Sequence, residues 1–253
     1  MKLKLDRIVR SFAPALALVL AAGVSGCDGA NIKLNGEEGK PLAELDLSGA
    51  PPQELVLLGP DEVRITSGDK LAISVDGDAE AKDALRFTLK DGSLGILRKD
   101  KVFGKDGKIA VITVTMPAPR EVVMAGSGKI HAEALASEAK VTIAGSGNIE
   151  SPSVAAEKLD LTIAGSGNFR GAGNVRKLDV TVAGSGSAAM DALKAESAKV
   201  TIAGSGDASF ASDGEVEASI VGSGNITVKG RARCKLSAMG SGKLVCETVT
   251  KGE

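Results

Sequence analysis

Seven copies of Gly-Ser-Gly, beginning at Gly126, Gly145, Gly165, Gly184, Gly204, Gly222 and Gly240, recur at steps of 19, 20, 19, 20, 18 and 18 residues. A fixed period of this size marks stacked coils, in which each repeat buries its apolar face only against its neighbours. Aligned on the first glycine, the residues two, four and six positions ahead are apolar in nearly every copy. One copy has Ile143, Val141 and Ala139; the next has Ile163, Leu161 and Leu159. The positions between are polar: Thr142, Thr162, Thr181 and Thr201 stand three ahead, and Lys140, Asp160, Asp179 and Lys199 stand five ahead. This alternation describes a strand with one face turned inward. Beyond each corner, Ile130, Ile149, Phe169, Ala188, Ala208, Ile226 and Leu244 resume the inward column. The expected fold is all-β, a β-solenoid of about seven 18–20-residue coils. Right-handed winding is the expectation for parallel crossovers. At about 4.8 Å per coil the stack would be roughly 30 Å long.

The corners are glycine pairs: Gly126 and Gly128, Gly145 and Gly147, Gly165 and Gly167, Gly184 and Gly186, Gly204 and Gly206, Gly222 and Gly224, Gly240 and Gly242. Glycine permits a sharp bend and close backbone approach, which a corner repeated in register needs. A phosphate-binding loop fails on residue identity. "GSGK" at Gly126 and Gly240 is followed by Ile130 and Leu244, where a magnesium-binding hydroxyl belongs. The dinucleotide fingerprint needs a helix after the loop, and no copy is followed by a helical stripe.

Ahead of the repeat, residues 54–119 read as short strands with polar turns, among them "ELVLL", "VRITS", "KLAISVD" and "KIAVITVTMP". "KDGS" and "GKDGK" are predicted hairpin turns, and "DAEAKDALR" is the best helix candidate. Residues 27–53, rich in Gly, Pro and charge, read as a tether with one short strand at Ala43 to Leu47. Residues 120–250 carry the repeat. With 5 Phe and no Trp or Tyr in 253 residues, the core must be built mainly from aliphatic side chains.

Residues 1–26 read as an export signal: Lys2, Lys4, Arg7 and Arg10 precede the apolar "FAPALALVLAAG". "VSGC" resembles a bacterial lipobox, which makes Cys27 the expected lipidation site and the first mature residue. Ordinary secretory cleavage near Val24 and Gly26 is the alternative. Several acyl chains on one cysteine would anchor the protein stably, at about 0.8 kcal/mol per buried methylene. Removing residues 1–26 leaves 27 cations against 31 anions, which points away from a nucleic-acid partner. Cys234 and Cys246 then remain as a disulfide candidate at the last coil, with a buried thiol pair as the alternative.

Strands ending in "ITVTMPAPREVVMAGSGKI", followed by repeated "TIAGSGNI", resemble the GIN-domain family of exported bacterial proteins. That family is also described as the head domain of auto-transporter adhesins. The likeness includes "DEVRITSGDKLAISVDGD" and "LKDGSLGI" and covers about Glu54 to Thr250, so that 54–250 together would make one GIN-type domain. It implies a solenoid-like cell-envelope protein with no enzymatic activity and no established catalytic residues.

Asp160 and Asp179 are the expected catalytic pair if the protein were a polysaccharide-acting β-helix. They share an outward column on adjacent coils, about 5 Å apart, the carboxylate spacing of a retaining glycosidase. The competing reading is a charge ladder, with Lys140 and Lys199 flanking the pair and no aromatic platform for a sugar ring. The Thr column is read as ordinary exposed strand rather than an ice-binding array. Asn148, Asn168, Asp207 and Asn225 are read as turn residues rather than calcium ligands. His131 is the only histidine, so a catalytic His dyad or a multi-His metal site is excluded. No cofactor is expected. The expected function is non-enzymatic: a lipid-anchored envelope protein, periplasmic or surface-facing, engaged in binding, adhesion or a structural role. The partners would be the membrane and an envelope protein or glycan, or else a neighbour in an envelope assembly; the oligomeric state is open.

Overall fold

The computed structural model describes residues 33–34, 37–99 and 108–247. The fold is a parallel β-solenoid. Strands β9 (Glu121–Gly126), β11 (Glu138–Gly145), β12 (Asn148–Gly165), β13 (Asn168–Gly184), β14 (Ser187–Gly204) and β15 (Asp207–Gly222) stack in chain order. Each long strand bends at its return and runs to the next corner. The shorter β10 (Lys129–Ala132) completes the rung of β9, and β16 (Asn225–Lys229), β17 (Arg233–Gly240) and β18 (Lys243–Glu247) complete the far end. Corner lies over corner: Gly126 pairs Gly145, which pairs Gly165, then Gly184, Gly204, Gly222 and Gly240.

The inward columns are core. Val141, Ile143, Ile149, Leu159, Ile163, Phe169, Val182, Ile202 and Ile220 are at most 1% exposed. Burying such a side chain fully contributes about 1.5–3 kcal/mol, so each rung is held chiefly by the rungs above and below it. Phe87, Phe169 and Phe210 are the largest of the fully buried side chains in an otherwise aliphatic interior.

The stack does not begin with the first Gly-Ser-Gly. β3 (Glu54–Gly59) pairs β9 in parallel, setting Gly59 over Gly126, and β4 (Glu62–Ser67) pairs β10. Gly59-Pro60-Asp61 is thus a further corner that the repeat pattern does not show. Beyond it lies one more rung, β7 (Ser93–Arg98) on β3 and β8 (Ala110–Met116) on β4. The end is closed by β5 (Ala72–Gly77), antiparallel to β8, and β6 (Leu85–Lys90), antiparallel to β7. The short helix α1 (Ala79–Ala84) joins them, its N-terminus capped by the Asp78 carboxylate accepting from the Glu80 N–H. The chain therefore enters the stack one rung in, reverses to build the end, and crosses back to β9.

"KDGS" is a hairpin turn, with Lys90 paired to Ser93 and left-handed φ at Asp91 and Gly92. "GKDGK" falls mostly outside the described residues. β7 and β8 on either side of it pair with β3 and β4 rather than with each other. The strand expected at Ala43 to Leu47 is not formed. Leu42–Glu44 is a 3-10 turn following Pro41, whose fixed φ suits a turn start. Part of the segment read as a tether is attached to the body. β1 (Lys33–Leu34) pairs β2 (Glu37–Glu38), Leu34 is buried, and Lys40 bridges Phe87 on the outer edge of β6.

Candidate functional site

The corner geometry decides what Gly-Ser-Gly does. Gly165 has φ +121, and a Cβ there would stand 2.5 Å from the Gly145 carbonyl oxygen of the preceding rung. Gly167 has ordinary φ, but its Cβ would meet Ile143 Cγ2 at 2.5 Å and the Gly147 carbonyl at 2.6 Å. The first glycine serves the bend and the second serves close stacking. The amides between them are occupied. Ser146, Ser166, Ser185, Ser205, Ser223 and Ser241 each donate an N–H at 2.9 Å to the first-glycine carbonyl one rung back. A phosphate loop needs such amides free to face the anion; here they extend the parallel ladder around the corner.

Asp160 and Asp179 are register partners in one outward column, with Lys140 and Lys199 on either side of them in register. The contacts come from elsewhere. Lys158 donates to Asp160 at 2.6 Å and stands 4.0 Å from Asp179, while Lys177 lies 3.8 Å from Asp179. Lys140 turns instead to Glu121 at 2.6 Å. Partial burial raises the Asp179 pKa, opposed by Lys177, with the neighbouring Asp160 charge also pushing it up. The pair is thus built into a ladder of ion pairs running along the rungs.

A second ladder follows the return side. Arg176 bridges Glu157 at 2.6 Å and Glu196 at 3.4 Å, and Lys194 meets Asp213 at 2.7 Å. These residues line an open groove of about 750 Å³ with Asn174 and Gly214. The hydrogen bond from Lys194, then the Arg231 N–H, holds the Asp213 carboxyl below its usual range. His131 and Arg170 flank Glu150 in a third, exposed run, at 4.0 and 3.1 Å. The turn residues form amide rungs of their own: Asn168 donates to Asn148 at 3.0 Å, and Asn225 to Asp207 at 3.0 Å. Among the described residues no three His, Cys, Asp or Glu side chains gather to hold a metal ion. No described helix is long and apolar enough to cross a membrane.

Cys234 and Cys246 are joined as a disulfide across the last rung, with Cα atoms 6.8 Å apart. Cys27 lies outside the described residues. One polar cluster escaped the sequence reading. Asp61, 1% exposed, accepts two hydrogen bonds from Arg98, at 2.8 and 2.5 Å, and one from the Ala110 N–H at 2.8 Å. Arg98 also donates to the Lys108 carbonyl at 2.8 Å. The pair ties the end of β7 to the start of β8 over the Gly59-Pro60-Asp61 corner. Only the Asp after "GP", in place of the second corner glycine, signals it.

A stack of parallel rungs with glycine corners, paired surface charges and an antiparallel cap defines the chain as a solenoid-bodied module. Residues 51–232 match the model of the family described as "Putative auto-transporter adhesin, head GIN domain". The chain belongs to that family. Solved structures share the fold. One is a "putative adhesin" from Bacteroides fragilis, with TM-score 0.68, 21% identity, and 78% of this chain and 93% of that one covered. Another, a "putative lipid binding protein" from Parabacteroides distasonis, has TM-score 0.62, 24% identity, and coverage of 78% and 93%. A "putative adhesin" from Parabacteroides merdae has TM-score 0.62, 20% identity, and coverage of 78% and 92%. No curated protein matches the chain.

Proposed function

We propose that this is a non-enzymatic protein of the bacterial cell envelope, anchored through lipid on Cys27, whose solenoid body presents a surface for binding or adhesion. The observation that carries the reading is the even spread of polar groups. Corner amides are engaged between rungs, and the acidic side chains that resemble a catalytic pair belong to a ladder shared with lysines. The family's description as an adhesin head agrees with it. The open groove of about 750 Å³ lined by Asn174, Arg176, Lys194 and Glu196 is a surface on which an envelope protein or glycan would rest. Residues 27 to about 33 would then link anchor to body.

The test is fractionation of cells expressing the full chain, followed by capture of its neighbours and mass spectrometry of the N-terminal peptide. Acylated Cys27 in the membrane fraction, release on Cys27→Ala and a defined glycan or protein neighbour lost on Arg176→Ala are the expected outcomes. A non-acylated chain, processed elsewhere, would contradict the anchor.

The register that sets Asp160 beside Asp179 on adjacent rungs, with partial burial raising the Asp179 pKa, favours one second reading, a polysaccharide-acting enzyme using Asp160 and Asp179. Turnover of envelope glycans that is lost in Asp160→Asn, Asp179→Asn with the fold intact would establish it in place of the first.

A further inference from the structure

β17 and β18 form the last rung, and among the described residues no strand pairs with their outer edge. Leu236 lies over Ala218, Ala238 over Ile220, Leu244 over Ile226 and Cys246 over Val228. Those four partners are at most 4% exposed, whereas Leu236 is 47% exposed because nothing described covers it. Met239 and Val245, at 59% and 46%, are exposed on the outer face of the same rung. Open backbone groups next to an open apolar core are a template for pairing with another chain.

We propose that a second copy of this chain occupies the edge, in a tail-to-tail dimer about a twofold axis that passes through the corner at Ser241 and perpendicular to the stack. The symmetry of the corner selects this arrangement. Inward side chains fall three and five positions to either side of Ser241: Ala238 and Leu236 before it, Leu244 and Cys246 after it. The axis lays β17 of one copy antiparallel on β18 of the other, with Ala238 opposite Leu244 and Leu236 opposite Cys246. All four face the core, so each copy closes the other's interior; a slip of one residue would turn them outward. On the outer side the same register sets Lys235 against Glu247, twice per dimer. Opposite charges directly across an antiparallel pair favour that register over its competitors. Lys235 already lies 2.5 Å from Glu215 in its own chain, which holds it on this face. The other end of the stack offers no parallel continuation, since β5 and β6 run antiparallel and Lys40 bridges the edge of β6. The contact is therefore isologous and closes at two copies.

Sedimentation of the full chain over rising concentration tests this. A monomer–dimer equilibrium is expected, weakened roughly tenfold by Lys235→Glu or by Glu247→Lys alone and restored when both are combined. Met239→Lys, at a position exposed in the single chain that this register sets opposite Lys243 of the second copy, should weaken the dimer with unchanged thermal unfolding at low concentration. A bismaleimide should join Ser241→Cys copies and leave Ser205→Cys copies, altered at a mid-stack corner, unjoined. A monomer at every concentration up to about 100 μM, or a dimer indifferent to the charge reversals, would overturn the proposal. So would a dimer that forms only after residues 248–253 are deleted, since that segment would then be the occupant of the edge.

Discussion

The two ends of the solenoid solve the same problem in different ways. A parallel stack cannot terminate itself, because every rung is a template for another. At the N-terminal end the strands reverse direction: β5 and β6 run antiparallel, α1 joins them, and Asp61, paired to buried Arg98, takes the place of the second corner glycine. At the C-terminal end the direction never changes, and the last rung carries the same column pattern as those before it. There a disulfide ties the two strands of the rung together without covering the core beneath. Closure thus needs a change of topology, whereas a covalent staple only limits fraying.

The largest effect expected from breaking this contrast lies at the closed end. Asp61→Asn leaves Arg98 buried without its counter-charge and should cost about 3–5 kcal/mol in equilibrium unfolding. Next come the corners. Gly165→Ala forces a side chain into left-handed φ against a backbone oxygen on the rung behind, at about 1–3 kcal/mol. Gly240→Ala meets the same obstacle but should cost less, because the last rung is free to move away; paired urea titrations check the order. Reducing the disulfide, which spans a sequence separation of 12, should release at most about 2–3 kcal/mol. Faster amide exchange confined to β17 and β18, with the middle rungs unchanged, is the readout.

The smallest effect is a pH dependence at the closed end. Burial, then the Glu121 charge in register beside it, raises the Glu54 pKa above 4.5. The native state then holds its proton longer than the unfolded chain, so stability contributed by this group falls as pH rises from about 4.5 through the folded pKa. Glu54→Gln should therefore raise the melting temperature slightly at pH 7, and the gain should vanish below about pH 4.

The middle of the molecule was legible because each rung repeats the same local demand: glycine at the bend, apolar residues at even offsets, polar residues between. The closed end was not, for a physical reason. On the side of β7 and β8, the Asp61 carboxylate meets the Arg98 guanidinium and the Ala110 N–H instead of a glycine carbonyl. A side chain fits where other corners require glycine, and the repeat pattern disappears although φ at Gly59 stays at 140°. Gly128, directly under Asp61, keeps its glycine because a Cβ there would stand 2.4 Å from the Asp61 carbonyl. Among the candidate site residues, the Asp160–Asp179 register followed from the period. Their actual partners, Lys158 and Lys177, lie two residues earlier in the same strands, where the columns are less regular. Contacts made by long flexible side chains do not follow from column identity alone.

Hydrogen exchange at the corner serines tests the central claim most directly. If the corners are continuations of the ladder, the amides of Ser146, Ser166, Ser185, Ser205 and Ser223 should exchange as slowly as the strands on either side, with Ser241 somewhat faster at the open end. Exchange of all of them at the rate of exposed loops would mean that the corner amides are free, and the stacked corner would have to be given up.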